Sequence, residues 1–398
     1  MYKNNLLTIA AMMAVVLSIF ISPNPGMAQE KGEPLLMGEI IKIHSKILNE
    51  DRPLWVYCPT NYKHSEARYP VLYLLDGNAH FHHVTGILDF LSKLSSMPEM
   101  IVIALPNTDR NRDFLPTHVE GISSSGGADN FLKFFKEELI PYVQKNYRTA
   151  SFRILCGHSY GGLFSIYTLL TIPELFNAYI AISPTLYWDN RLLFKKAETL
   201  FEKQPDLKKF LFYTMGGKER EQMRSAAQDF EKLLKEKAPK GLEWQFELME
   251  KEDHGSIPHR TIYNALETLY TGWGISFQDP SMQKIAVLKK HFETLSKRYG
   301  YQIPIPEGLI NRLGYIFLRQ KKVEEAIKVF TFNVESYPTS ANVYDSLGEA
   351  YENNNQLELA RKNYETACKL AEKNQAPGLE TFKKNLERMN KKKAEDKK

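Results

Sequence analysis

The chain has 398 residues, 43% of them hydrophobic and 25% charged, with a formal net charge of +5. These proportions suit two or three globular domains and exclude a disordered or fibrous chain. The basic excess gathers at 391–398, read as a disordered, solvated tail, and no basic motif interleaved with aromatics points to nucleic acid.

Residues 1–28 read as a signal peptide outside the fold. Lys3 supplies a positive start, Leu6 to Ile21 is apolar, and Gly26-Met27-Ala28 offers small residues for cleavage. An apolar core of about 16 residues is shorter than the ~20 that span a bilayer, and Pro23 and Pro25 follow it. The expectation is an exported protein, periplasmic or secreted, with no stable membrane span after cleavage. No cysteine adjoins Ala28 to carry a lipid. Cys58, Cys156 and Cys368 are too few and too scattered for a disulfide framework or a zinc site.

From 29 to 276, strand and helix patterns alternate. Met37 to Ile47 and Pro53 to Tyr57 predict an opening antiparallel pair. Tyr69–Leu75 and Met100–Leu105 are continuous apolar runs, the pattern of strands buried on both faces. Phe131, Phe134, Phe135, Leu139 and Val143 recur at helical spacing within Ala128–Asn146. Further strands are predicted at Phe152–Cys156, Ala178–Ile182, Lys209–Met215 and Trp244–Met249, with helices after the first of these, from about Asp189, through Ala226 to Lys235, and from Pro258 to Tyr270. This alternation predicts an α/β domain with a doubly wound, mostly parallel sheet of about eight strands.

From 277 to 390 only helical patterns remain, and two segments match at a shift of 34 residues. Leu313-Gly314 answers to Leu347-Gly348, Phe317 to Tyr351, Ala326 to Ala360 and Phe330 to Tyr364, with Pro338 where a repeat ends. These are tetratricopeptide positions, so an all-α domain is expected with repeats at about 307–340 and 341–374. Two repeats are fewer than usually stand alone, so helices at 281–299 and 379–390 are expected to cap them. Packing against the first domain and binding a protein or peptide partner are both open roles.

The motif that carries chemistry is Gly157-His158-Ser159-Tyr160-Gly161, lying between a strand pattern and a helix pattern. Strand, G-x-S-x-G, helix is the nucleophile elbow of an α/β-hydrolase, in which a tight turn exposes the serine at the edge of the sheet. In that chain order the base follows the serine. His254, in a polar loop after the last strand, is the candidate base, and His259 at the next helix start reads as a surface or capping residue. Glu219 is the first carboxylate past the preceding strand and the candidate acid; Glu221 and a dyad without an acid remain alternatives. The N–H groups of Tyr160 and Asn78 are the candidate oxyanion donors. Arg110 and Arg112 could hold an anionic or catecholic substrate, or pair with Asp109 and Asp113 to shape their loop. Trp188 is a pocket floor or a buried core residue. His80, His82 and His83 lack partners at ligand spacing, so no metal is expected and pocket lining is the better reading.

The blocks Tyr69–Gly77, Arg112-Asp113-Phe114-Leu115-Pro116, Glu138–Pro141, the elbow, Ile182-Ser183-Pro184 and Trp188-Asp189 resemble the esterase family that includes esterase D, feruloyl and acetylxylan esterases, and enterobactin esterases. The resemblance runs from about Pro53 to Tyr270 and implies Ser159 as nucleophile, His254 as base and no cofactor, with the acid varying among members. An exported serine carboxylic-ester hydrolase is therefore expected, acting on a siderophore-type lactone, an acetyl or feruloyl carbohydrate ester, or another small ester. A non-catalytic or acyl-transferring platform, with repeats that bind a protein partner, is the alternative.

Overall fold

The computed structural model describes residues 35–60 and 62–395, so the expected signal peptide and residues 396–398 of the basic tail lie outside the described residues. The described residues from Gly38 onward form one compact unit. Eight strands make a single sheet: β1 (Glu39–Ser45), β2 (Glu50–Tyr57), β3 (Tyr69–Leu74), β4 (Ile101–Ala104), β5 (Thr149–His158), β6 (Ala178–Ile182), β7 (Lys209–Gly216) and β8 (Leu242–Met249). Their order across the sheet is β1-β2-β4-β3-β5-β6-β7-β8. β1 and β2 pair antiparallel, as do β2 and β4, and every other neighbour is parallel.

The pleat explains why the central strands are apolar throughout. Successive side chains point to opposite faces, and here both faces are covered. Tyr69, Val71 and Tyr73 of β3 enter one core, where Phe114, Phe131, Phe135, Phe164 and Phe176 crowd together. Leu72 and Leu74 of the same strand enter the other core, with Val84, Leu88, Ile262 and Leu266. Helices α1 (Gly77–Lys93) and α8 (Ile257–Leu269) cover that second face.

Between β4 and β8 come α2 (Arg110–Phe114), α3 (Ala128–Phe134), α4 (Ile140–Asn146), α5 (Tyr160–Thr171), α6 (Trp188–Lys203) and α7 (Glu221–Lys237). Two local patterns differ from expectation. The helix expected over Ala128–Asn146 contains a π turn at Phe135–Leu139. The helix expected from about Asp189 begins with Asp189, Asn190 and Arg191 at φ 41°, 49° and 64°, outside helical geometry, so its regular part starts beyond Arg191.

The remaining helices are α9 (Ile285–Tyr299), α10 (Glu307–Arg319), α11 (Val323–Ser336), α12 (Ala341–Asn353), α13 (Leu357–Asn374) and α14 (Leu379–Glu395). Paired helices meet where glycine admits an aromatic ring: a Cβ at Gly314 would lie 2.4 Å from Phe330, and one at Gly348 would lie 2.9 Å from Tyr364. The last helix continues to Glu395, past the point where lysine content predicts a disordered tail. Lysine is a competent helix former, and Lys392 reaches back 2.7 Å to the carboxylate of Glu352.

This helical extension is fastened to the start of the elbow strand. Phe152 of β5 packs on Tyr299 and Tyr301 at ring-centroid distances of 5.4 and 6.4 Å, and Tyr299 meets Tyr270 and Trp273 at 5.2 and 5.6 Å. Ser151 donates to the Gly300 carbonyl at 3.2 Å, and His291 meets the Trp273 carbonyl at 3.0 Å. Phe152 precedes Ser159 by seven residues of nearly continuous strand, a span of roughly 20 Å. The extension therefore docks at the opposite end of β5 from the elbow. Phe152→Ala should empty a packed aromatic site and cost about 3–5 kcal/mol. A lowered urea midpoint, with faster tryptic cleavage after Lys284, is the expected outcome.

Candidate active site

β5 runs into α5 through Ser159, whose backbone sits at φ 60°, ψ −114°. These are the angles of the first central residue of a type II′ turn, a position dominated by glycine, and an L-residue with a side chain holds them only when its surroundings force it. The forcing contacts are present. The Ser159 N–H donates to the Ile182 carbonyl at 2.8 Å, and its own carbonyl accepts from Leu163 at 2.9 Å. A Cβ at Gly157 would lie 2.3 Å from the Gly161 carbonyl oxygen, so strand end and helix start can close only across glycine.

Two loops, from the ends of β7 and β8, converge beside this turn. After β7, Glu219 folds back so that its Oε1 accepts from the Gly216 N–H at 3.0 Å and from the Ser183 hydroxyl. Its Oε2 lies 2.8 Å from His254 Nδ1. The Glu219 side chain is 1% exposed and that of His254 is 43% exposed, so the carboxylate is dry while the imidazole faces solvent. The two loops are tied by backbone bonds from Gly217 to Met249 at 2.9 Å and from Lys218 to Glu252 at 3.1 Å. Burial alone raises the Glu219 pKa, but hydrogen bonds from His254, Ser183 and the Gly216 N–H outweigh it and hold the carboxyl below its ordinary range. The other local carboxylates are occupied elsewhere. Glu221 pairs with Arg224 at the surface, and Asp253 accepts from the N–H groups of Gly255 and Ser256. The His254 ring rests 4.5 Å, centroid to centroid, from that of His158, the residue before Ser159.

On the other side of the elbow, the chain leaves β3 through Asp76 and begins α1 at Gly77. The Gly77 N–H is bonded to the Leu105 carbonyl, and those of Ala79 and His80 to the Asp76 carbonyl; neither Asn78 nor Tyr160 donates its N–H to another backbone group among the described residues. Of the sequence-based pairings with Asp109 and Asp113, that of Arg112 with Asp113 is present, whereas Arg110 turns to Asp76 instead. Arg110 pairs with Asp76, and Arg112 uses its three guanidinium nitrogens on Glu50 and Asp113. The reason is the sheet order. Arg52 and Glu50 on β2 bring a buried ion network to Asp113, while Asp109 caps α2 by accepting the Arg112 N–H. Trp188 is 7% exposed, bonds to Thr117 at 2.9 Å and meets the Tyr160 ring at 5.8 Å.

A cleft of about 640 Å³ opens beside the elbow, lined by Asp76, Arg110 and the imidazoles of His80, His83, His158 and His259. His80 and His83 are joined by a 3.0 Å hydrogen bond, whereas His82 points to solvent. Among the described residues, no three histidine, cysteine or acidic side chains are grouped to hold a metal ion. Neither Ser183 nor the carboxylate of Asp76 is assigned a site role by sequence reasoning. Each directly follows a buried strand, which was the available signal.

The "Putative esterase" family model matches residues 45–248, just over half of the chain. The chain belongs to this esterase family. A tetratricopeptide-repeat model matches residues 341–374 of the same chain. Relatives of this chain include the ferri-bacillibactin esterase BesA of Bacillus subtilis, 35% identical over 153 residues, which are 33% of this chain and 53% of that protein. A siderophore enterobactin esterase of Emericella nidulans is 38% identical over 151 residues, 32% of this chain and 49% of its own. The chain thus spans about half the length of the curated relatives it matches. Among solved structures, an IroE-like serine hydrolase from Shewanella oneidensis superposes with a TM-score of 0.66 at 27% identity, over 75% of this chain and 99% of that one. An uncharacterised protein from Capnocytophaga ochracea, 16% identical, shares the fold over 88% of this chain and 99% of its own, with a TM-score of 0.59.

The histidines set an acid limit on the esterase fold. Burial is the main cause that lowers His158 to about 3 and His83 to about 4, with neighbouring imidazoles adding to it. In the unfolded chain both take up protons below about pH 6.5, which the native cluster resists. Their contribution to stability is therefore complete above about pH 6.5 and declines as pH falls toward 4. Thermal unfolding followed between pH 7 and 4 should show a falling Tm, with a shallower slope in His83→Gln. An unchanged slope in that variant would remove His83 as a cause.

Proposed function

We propose that this chain is a serine carboxylic-ester hydrolase working through an acyl-enzyme. The observation that carries the reading is the 2.8 Å bond between His254 and the dry carboxylate of Glu219, formed beside the strained Ser159 turn. Such a bond keeps the proton on Nδ1 and leaves Nε2 as the basic nitrogen. In the proposed reaction Ser159 Oγ attacks the ester carbonyl and gives its proton to His254. The resulting imidazolium is stabilised by Glu219, and the Tyr160 and Asn78 N–H groups hold the tetrahedral oxyanion. Collapse expels the alcohol, which takes the proton from His254. Water, deprotonated by His254, then attacks the acyl-enzyme and releases the acid and free Ser159.

For the substrate we propose a siderophore-type ester. The support is the set of relatives: besides the two above, a siderophore triacetylfusarinine C esterase of Aspergillus fumigatus is 31% identical over 145 residues. No cofactor enters the proposed steps. We further propose that the protein is exported, on the strength of Lys3, the apolar stretch Leu6–Ile21 and the small residues before Gln29. Among the described residues, no helix is long and apolar enough to cross a membrane. A protein or peptide partner for the tetratricopeptide helices fits their repeat class.

A fluorophosphonate probe should label the wild type and fail on Ser159→Ala; labelling that survives that substitution would move the nucleophile elsewhere. Across short acyl, feruloyl, acetyl-sugar and catechol-trilactone esters, the highest kcat/KM is expected on the trilactone. His254→Ala should lower kcat by about 10⁶-fold and Glu219→Gln by about 10⁴-fold. Mass spectrometry of the exported protein should find Gln29 as its first residue, and a mature chain retaining Leu6–Ile21 would refute cleavage there.

A further inference from the structure

Three segments remote in sequence surround Ser159: the turn Leu75–Asn78, the elbow His158–Gly161 and the loop Asn107–Arg110. One guanidinium joins them. Arg110 Nε donates to Asp76 Oδ1 at 2.6 Å, while its Nη2 donates to Asp76 Oδ2 at 3.1 Å and to the His158 carbonyl oxygen at 2.9 Å. The same cation lies 5.2 Å from the centroid of the Tyr160 ring. Asn107 adds a 2.7 Å bond to Asp76 Oδ1.

The anchored turn needs holding. Asp76 is buried and left-handed at φ 53°, ψ 41°, a backbone that non-glycine residues rarely adopt. Its carboxylate also lies over the first turn of α5, since a Cβ at Gly161 would come within 3.1 Å of Oδ2. Residues on either side of the guanidinium's partners carry the proposed oxyanion donors, Asn78 two positions after Asp76 and Tyr160 two positions after His158. A substrate-holding role fits this geometry poorly. The charge of Arg110 is already matched bidentately by a buried carboxylate, and an anion entering the cleft would have to displace it.

We propose that Arg110 is a positioning residue of the esterase reaction, locking the Asp76 turn to the His158 carbonyl and so setting the spacing of the two oxyanion donors. This rests on the reading of Ser159 as nucleophile and of Tyr160 and Asn78 as donors. Lysine cannot replace it, because a single ammonium lacks the rigid fork that reaches the carboxylate and the carbonyl together.

The test compares Arg110→Ala and Arg110→Lys on two matched aryl esters, one neutral and one bearing a carboxylate in its acyl chain. Both variants should lose about 10²-fold in kcat on both esters, the scale of one misplaced oxyanion donor, with KM within about twofold. Affinity for a boronate that forms a tetrahedral adduct should fall by the same factor as kcat, and added guanidinium ion should restore part of the Arg110→Ala rate. A rise in KM confined to the anionic ester, with kcat intact, would make Arg110 a substrate contact and overturn the proposal. Should Arg110→Ala fail to fold, full kcat in Arg110→Lys overturns it equally. A wild type that hydrolyses neither ester nor takes up the fluorophosphonate refutes the esterase reading itself. A competent wild type with undiminished variants refutes only the role of Arg110.

Discussion

Ser159 occupies backbone angles of φ 60°, ψ −114°, and most of the arrangement around it follows from keeping it there. The cost of the conformation, about 1–3 kcal/mol, must be offset by its neighbours. The offset comes from the parallel register of β5 with β6, which delivers the Ile182 carbonyl to the Ser159 N–H. It also comes from the glycine at 157, which allows strand and helix to touch. An apolar sheet buried on both faces is the rigid support that makes such strain sustainable.

Electrostatically the two sides of the turn are opposites. On one side Glu219 is removed from water, and three donors hold its carboxyl below its ordinary range. On the other, Arg110 and Asp76 cancel each other's charge within the wall of the cleft. Burial is the main cause that lowers the pKa values of the His80, His83 and His158 imidazoles. The charged residues lining the cleft thus balance each other, and His254 beside the elbow is backed by the carboxylate of Glu219.

The helical extension belongs to a different part of the molecule. Its contacts with the sheet run through Phe152, Tyr270, Trp273 and Tyr299, at the end of β5 far from Ser159. Direct covering of the cleft by these docking residues is thus ruled out by strand length alone. The neighbour from Capnocytophaga ochracea, matched over 88% of this chain, shows that a fold of this extent is not peculiar to it.

Much of this was legible before any coordinates. Apolar runs without alternation announce strands covered on both faces. The glycines of the elbow announce a turn too tight for a Cβ, and chain order leaves His254 and His259 as candidate bases, with Glu219, Glu221 or no acid behind them. These signals are local: they depend on backbone sterics and on what a single segment must bury. The partners of Arg110 and Arg112, the hydroxyl of Ser183 on Glu219, and the gathering of four histidines beside the elbow were not legible in the same way. Each depends on the placement of β3 between β4 and β5, and of β2 beyond β4, which chain order alone does not specify. Charged and polar side chains pair with whatever the sheet brings within about 3 Å, whereas a glycine or an apolar run answers to its own stretch of chain. The amino-acid order therefore determined the elements, the turn and the candidate chemistry. Only the folded sheet decided which charges would be cancelled and which imidazole beside the elbow would be backed by an acid.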